Sequence, residues 1–260
     1  MKTHSTDSGG PDAKSRKALP ADLEARFRGE QPRTVLSWAL SEYHPRIALA
    51  SSFSMEDIAL VAMLVEIRFD ARVFALDTGR LPEETFEAAE AVRAKLGVTI
   101  EWRFPDRAAV EELEAGKGLY SFRDSLEARH ECCRIRKVEP LGRALSGLSA
   151  WITGQRKSQG VTRQSLSLIE IDGAHDGILK INPLADWSEE QVRSFLRVRG
   201  LPYNRLHDRG YPSIGCAPCT RAVAPGEDPR AGRWWWERPE HKECGLHARD
   251  AAAAKKKGEE

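Results

Sequence analysis

The chain carries five cysteines, and their spacing narrows the chemistry they could do. Cys216-Ala217-Pro218-Cys219 is a C-x-x-C in which Gly215 and Pro218 favour a tight turn with both sulfurs on one side. Such a pair alone is shared by redox dithiols, zinc sites and iron–sulfur sites. Cys132-Cys133 changes the balance. Neighbours on a regular helix point about 100° apart, so both thiolates reach one centre only where the backbone bends or the centre is large. A cubane cluster offers each thiolate its own iron, whereas a single tetrahedral zinc would crowd the pair. The four sulfurs therefore favour an iron–sulfur cluster. The competing reading is a redox dithiol plus two core cysteines. Arg129, His130, Arg134, Arg136 and Lys137 surround the double cysteine, a poor setting for core burial and a good one for thiolates and anions.

The fifth cysteine, Cys244, lies in Glu243-Cys244-Gly245-Leu246-His247, with His241 and Lys242 beside it. Cationic neighbours lower a thiol pKa, so Cys244 is a candidate nucleophile rather than a spare surface thiol. Arg156, Lys157, Arg163, Arg230 and Arg233 form a basic set suited to phosphate or sulfate oxygens. Ser51-Ser52-Phe53-Ser54 precedes an apolar helix and makes a plausible anion cradle, though it lacks the Gly-Lys-Ser/Thr ending of a Walker A loop. Trp234-Trp235-Trp236 could stack a base, but packing is the expectation for at least two of them.

These residues need a frame. Short apolar runs at Ile47–Ser51, Val73–Leu76, Val98–Trp102, Trp151–Thr153 and Ser165–Ile171 predict strands. They alternate with helical patterns at Glu56–Glu66, from Pro82 to Leu96 with Gly97 as the stop, and after the Ser188–Gln191 capping box. That order predicts an α/β fold with a mostly parallel sheet, and ligands in such folds sit beyond the C-terminal strand ends. Residues 1–17 read as a polar arm, 18–203 as the α/β nucleotide-binding domain, 204–250 as a loop-rich section for cluster and catalysis, and 251–260 as a polar tail. Lys plus Arg number 40 against 39 Asp plus Glu, which argues against a general nucleic-acid coat. The sequence contains neither a membrane-length apolar run nor an N-terminal apolar signal core, so the expected location is the cytoplasm.

Taken together, several segments resemble the assimilatory adenylyl-sulfate (APS) reductases of the APS/PAPS reductase family. They are Ser51-Ser52-Phe53 with Glu56-Asp57, Leu76-Asp77-Thr78-Gly79-Arg80, Cys132-Cys133 with Arg136-Lys137, and Thr153-Gly154-Gln155-Arg156. Gly215-Cys216 with Cys219-Thr220-Arg221, Gly232-Arg233-Trp234-Trp235-Trp236 and Glu243-Cys244-Gly245-Leu246-His247 complete the set, which runs from about Leu49 to His247. Ser54-Met55 stands where relatives often have Gly-Ala, and the stretch from Gln155 to Arg163 looks about one residue short.

The resemblance implies an adenine-nucleotide hydrolase-like fold related to the PP-loop pyrophosphatases. It implies one [4Fe–4S] cluster on Cys132, Cys133, Cys216 and Cys219, with Lys137 near both cluster and substrate. Ser51, Ser52, Phe53, Asp57, Leu76, Asp77, Thr78 and Gly79 would contact the nucleotide. Arg156, Arg163, Arg230, Arg233 and His247 would surround the phosphosulfate. The implied reaction is reduction of adenosine 5′-phosphosulfate to sulfite and AMP through an S-sulfocysteine on Cys244, in sulfate assimilation and cysteine biosynthesis. Thioredoxin or a glutaredoxin-like dithiol would be the donor, with no nucleic-acid or membrane partner and the oligomeric state left open. The double cysteine and C-x-x-C favour APS over its 3′-phosphorylated analogue PAPS. The other rivals are a PP-loop sulfur-transfer enzyme acting on tRNA and a non-catalytic, nucleic-acid-binding module.

Overall fold

A computed structural model describes residues 13–160, 163–238, 242 and 245–246. The chain opens with α1 (Ala13–Phe27), which begins inside the stretch read as an arm, and α2 (Pro32–Tyr43). There follow β1 (Ile47–Ser51), α3 (Met55–Ile67), β2 (Arg72–Leu76), α4 (Glu83–Leu96), β3 (Ile100–Arg103), α5 (Arg107–Lys117), α6 (Leu126–Cys133) and α7 (Glu139–Leu145). The last named elements are β4 (Ala150–Ile152), β5 (Ile169–Asp172), β6 (Ile178–Ile181) and α8 (Glu189–Val198).

One sheet has the order β3-β2-β1-β4-β6-β5. Every pairing is parallel except that of β5 with β6. The expected α/β class and mostly parallel sheet are therefore observed. Central strands covered on both faces should read as unbroken apolar runs. Ile47, Leu49 and Val73 accordingly have no exposed surface. Helix α3 is apolar around its circumference because it packs between β1, α2 and α8. Its Ile58, Leu60, Val61 and Leu64 are fully buried.

Local signals set the helix ends. Ser188 and Gln191 cap α8 reciprocally, the Gln191 N–H donating to Ser188 Oγ at 3.1 Å and the Ser188 N–H to Gln191 Oε1 at 2.7 Å. Gly97 ends α4 in the left-handed region at φ 65°. The structure corrects the last strands. Of the stretch Ser165–Ile171 only residues 169–171 are strand, in β5, which runs on to Asp172, and the antiparallel partner β6 carried too weak a signal to be expected. Lys180 interrupts that four-residue apolar run, yet it is buried, paired with Glu170 at 3.0 Å and placed 5.6 Å from the Trp151 ring centroid.

Candidate active site

Strand order reverses direction at β1, whose neighbours β2 and β4 are reached by connections running opposite ways. Such a switch point opens a crevice beyond the C-terminal strand ends. A cavity of about 430 Å³ lies there, lined by the residues that follow β1, β2 and β4.

The loop after β1 is built from short hydrogen bonds. The Ser52 N–H and hydroxyl both donate to Asp57 Oδ2 at 2.7 Å, and the Phe53 N–H donates to Ser51 Oγ at 3.2 Å. Ser54 caps α3, its Oγ accepting from the Asp57 N–H at 3.3 Å. Phe53 is held at φ 57° with 2% exposure. A bulky residue in the left-handed region costs about 1–3 kcal/mol, strain of the kind that gathers at functional loops. Burial pushes the Asp57 carboxyl up to about 6, against the Ser52 hydrogen bonds and with help from Glu56. Gly154, after β4, must be glycine. A Cβ there would lie 2.3 Å from Asp57 Oδ1 and 2.9 Å from Glu56 Cβ.

Glu56 and Arg156 form a buried ion pair at 2.7 Å. Burial disfavours the Glu56 charge, but Arg156 and Gln159 outweigh it and hold this carboxyl below its ordinary range. Arg156 also donates to Ser158 Oγ at 2.5 Å and to the Trp187 carbonyl at 3.3 Å. The role of Glu56 as partner to this arginine was not anticipated from sequence. An acidic residue in the first turn of a helix reads as a dipole partner, and only the fold brings β4 against it.

The four described cysteines are free thiols, each buried, and all line one small cavity. Arg80, Arg129, Arg136 and Lys137 share its walls with Phe122. Cys132 and Cys133 end α6 and run directly into a π-helical turn, Arg134–Val138, so the backbone changes pitch where two adjacent sulfurs must face one space. On the other side, Cys216 Sγ lies 3.3 Å from Thr78 Oγ1, and the Ala217 N–H donates to the Arg80 carbonyl at 2.8 Å. These contacts tie the C-x-x-C turn to the loop after β2. Burial pushes the Cys132 thiol up, and burial with Cys216 beside it pushes Cys219 up to about 12. Burial also opposes the Cys216 thiolate, but Lys137, Thr78 and Arg233 outweigh it and hold this thiol below its usual value. Among the described residues no three His, Cys, Asp or Glu side chains are gathered tightly enough for a metal ion.

Trp234 lies between the two cavities. It lines the larger one and packs in one apolar cluster with the four cysteines. It is 1% exposed, stands at φ 39°, and its backbone N–H donates to the Cys219 carbonyl at 3.1 Å. The guanidinium carbons of Arg129 and Arg233 are each 4.6 Å from its ring centroid, and Lys137 Nζ is 5.7 Å away. Arg129 itself is paired with both oxygens of Glu237 at 2.9 and 2.8 Å. Gly215 admits Arg233 to this corner. A Cβ there would stand 2.2 Å from a guanidinium nitrogen.

Of the residues expected to touch nucleotide, Ser51, Ser52, Phe53, Asp57, Leu76 and Thr78 line the larger cavity. Asp77 and Gly79 do not; Asp77 Oδ1 accepts from the Gly79 N–H at 2.8 Å and shapes the turn. Lys137, Arg156, Arg163, Arg230 and Arg233 line it as well. Cys244 and His247 lie outside the described residues.

Residues 46–222 match the phosphoadenosine phosphosulfate reductase domain family. The chain is 54% identical, over 79% of its length and 80% of the relative's, to a protein of Allochromatium vinosum named adenosine 5′-phosphosulfate reductase. The crystal structure of phosphoadenylyl-sulfate (PAPS) reductase from Candida auris, a phosphate complex, superposes with a TM-score of 0.67 at 27% identity, covering 83% of this chain and all of that one. FMN adenylyltransferase of Candida glabrata shares the fold alone, with a TM-score of 0.53 at 14% identity over 96% of this chain and 86% of that one. With a nucleotide-sized cavity at the switch point and a family match across most of the sheet, the chain belongs to the phosphoadenosine phosphosulfate reductase domain family.

Proposed function

We propose that the chain is an adenosine 5′-phosphosulfate reductase of sulfate assimilation, yielding sulfite and AMP. The observation that carries this reading is the meeting of two cavities at Lys137 and Cys216. One is sized for a nucleotide and lined by arginines, and the other is walled by four buried thiols. The name carried by the 54% identical relative supports APS as the substrate. Plant 5′-adenylylsulfate reductase 3 of Arabidopsis thaliana, 45% identical over 87% of this chain and 50% of that protein's own length, is consistent with it.

Cys244 is the nucleophile. Its thiolate attacks the sulfur of the phosphosulfate, an S–S bond forms, the S–O bond to phosphate breaks, and AMP leaves with the electron pair. A donor dithiol such as thioredoxin then attacks Cys244 sulfur, sulfite departs, and the second donor thiol closes the donor's disulfide and restores Cys244. Two electrons come from the dithiol, which balances the reaction. The difficulty is bringing a thiolate to a group already ringed by negative oxygens. Lys137, Arg230 and Arg233 on the cavity wall supply the opposing charge.

Cys132, Cys133, Cys216 and Cys219 suit a [4Fe–4S] cluster by their chemistry: four cysteines line one small cavity that four cations border, and a cluster spaces its thiolates wider than a single ion would. When bound, the cluster supplies a fixed local charge and ties two distant segments together. Sulfite release from APS and PAPS, followed with thioredoxin on protein purified without air, tests the reading. APS preference and a silent Cys244→Ser variant are expected. PAPS preference would overturn the substrate, and no sulfite from either would overturn the activity.

A further inference from the structure

The two kinds of partner around these cations do different things. Arg156 meets a carboxylate, and the Glu56 charge neutralises it within the protein. Lys137 and Arg233 stand beside the Cys216 thiol, Arg233 donates to the Ile214 carbonyl at 3.2 Å and to Ser213 Oγ at 3.4 Å, and both cations also meet an aromatic face. An aromatic quadrupole orients a cation without cancelling its charge, and the attraction grows where water is excluded. Two like charges held close in a buried corner repel strongly in its low dielectric. A shared ring offsets that repulsion and adds to the hydrogen bonds that direct both cations.

We propose that Trp234 is a positioning residue that aims the charges of Lys137 and Arg233 at the anionic group of the substrate. This rests on the reading of the larger cavity as a phosphosulfate site. Three observations converge on it. The ring is 1% exposed and sits between the two cavities. Its backbone is held in the left-handed region at φ 39°, which a bulky residue avoids unless its surroundings demand it. Three cations lie within 5.7 Å of one ring, and Arg129, already paired with Glu237, fills the side toward the thiols. Trp235 is 39% exposed and is not part of the cavity wall, so the function belongs to Trp234 and not to the aromatic run as a whole.

The test replaces Trp234 alone with mono-, di- and tetrafluorotryptophan by nonsense suppression in full-length Cys244→Ser protein, purified without air. Fluorination drains the ring quadrupole and leaves shape nearly intact. Affinities for adenosine 5′-phosphosulfate and for adenosine, which lacks the anion, are measured across the series. The phosphosulfate Kd should rise stepwise to about tenfold while that of adenosine stays within about twofold. A phosphosulfate Kd that does not respond, or one that rises together with that of adenosine and with a fall in melting temperature, would overturn the proposal in favour of plain packing. Trp234→Phe should recover part of the affinity lost in Trp234→Leu. Sulfite release by the unsubstituted protein with Cys244 intact judges the activity separately, since the binding series reads Trp234 whether or not turnover occurs.

Discussion

Glu56 and Asp57 are adjacent, both buried, and titrate in opposite directions. Asp57 is held up at about 6, so folding favours its neutral form. That contribution is full below about pH 4 and is lost as pH rises through about 6, a difference of about 3 kcal/mol. Glu56 sits below its ordinary range, so its contribution is present above that range and lost as pH falls through the depressed value. Asp57→Asn removes the first effect and leaves the second. In urea unfolding the variant should gain about 3 kcal/mol on its parent between pH 4 and pH 8. A gap that does not change with pH would show that Asp57 titrates near its ordinary value. Removing Glu56 alone strands the Arg156 charge, so Glu56→Ala should cost about 3–5 kcal/mol, and the Glu56→Met, Arg156→Met pair much less. Equal losses in the single and double variants would refute that account. At this scale the sequence displayed the types of residue well, including Ser52, Asp57 and the arginines. It did not display pairings such as Glu56 with Arg156, because a partner 100 residues away is set by the fold.

Among the elements, the turn after β4 and the start of α3 are packed without slack at Gly154. Gly154→Ala places a methyl group against Asp57 and Glu56. Overpacking of this kind costs about 1–3 kcal/mol, and the displaced Asp57 would release Ser52. We expect a lower melting temperature together with AMP affinity weakened about tenfold, both readable by thermal shift with and without nucleotide. Unchanged AMP binding in a folded variant would mean that the Ser51–Asp57 loop does not touch the nucleotide. Strong local signals made most elements legible. The capping box of α8, the Gly97 stop of α4 and the apolar runs of β1 and β2 all stand near where sequence put them. Strand β6 was not legible, because its buried Lys180 breaks the apolar run and is stabilised by Trp151 and Glu170, which the fold brings to it. The π turn after Cys133 was legible only as a requirement for bending, not as a place.

For the molecule as a whole, we propose a division near Asn204 between a sheet domain with its own core and a section ordered by its thiols. Asn204 Nδ2 donates to Thr85 Oγ1 at 3.0 Å, and beyond it the chain packs through Cys216, Cys219 and Trp234 against α5, α6 and the turn that follows α6. Loss of the proposed cluster should therefore loosen one part selectively. After anaerobic chelation, amide exchange should speed up about tenfold or more around Cys132 and from Arg205 to Glu237, while β1, β2 and β4 keep their protection. Uniform loss of protection would show that the sheet depends on the cluster too.

The thiols that share one cavity come from α6 and from a turn synthesised much later, on the far side of β4, β5, β6 and α8. During translation the first pair must wait, already made, until most of the sheet exists and the second pair has emerged. Loading of the proposed cluster would thus be a late event, with Cys132 and Cys133 passing through an interval as reduced, unligated neighbours. Oxidative damage should accordingly fall on newborn chains more than on finished ones.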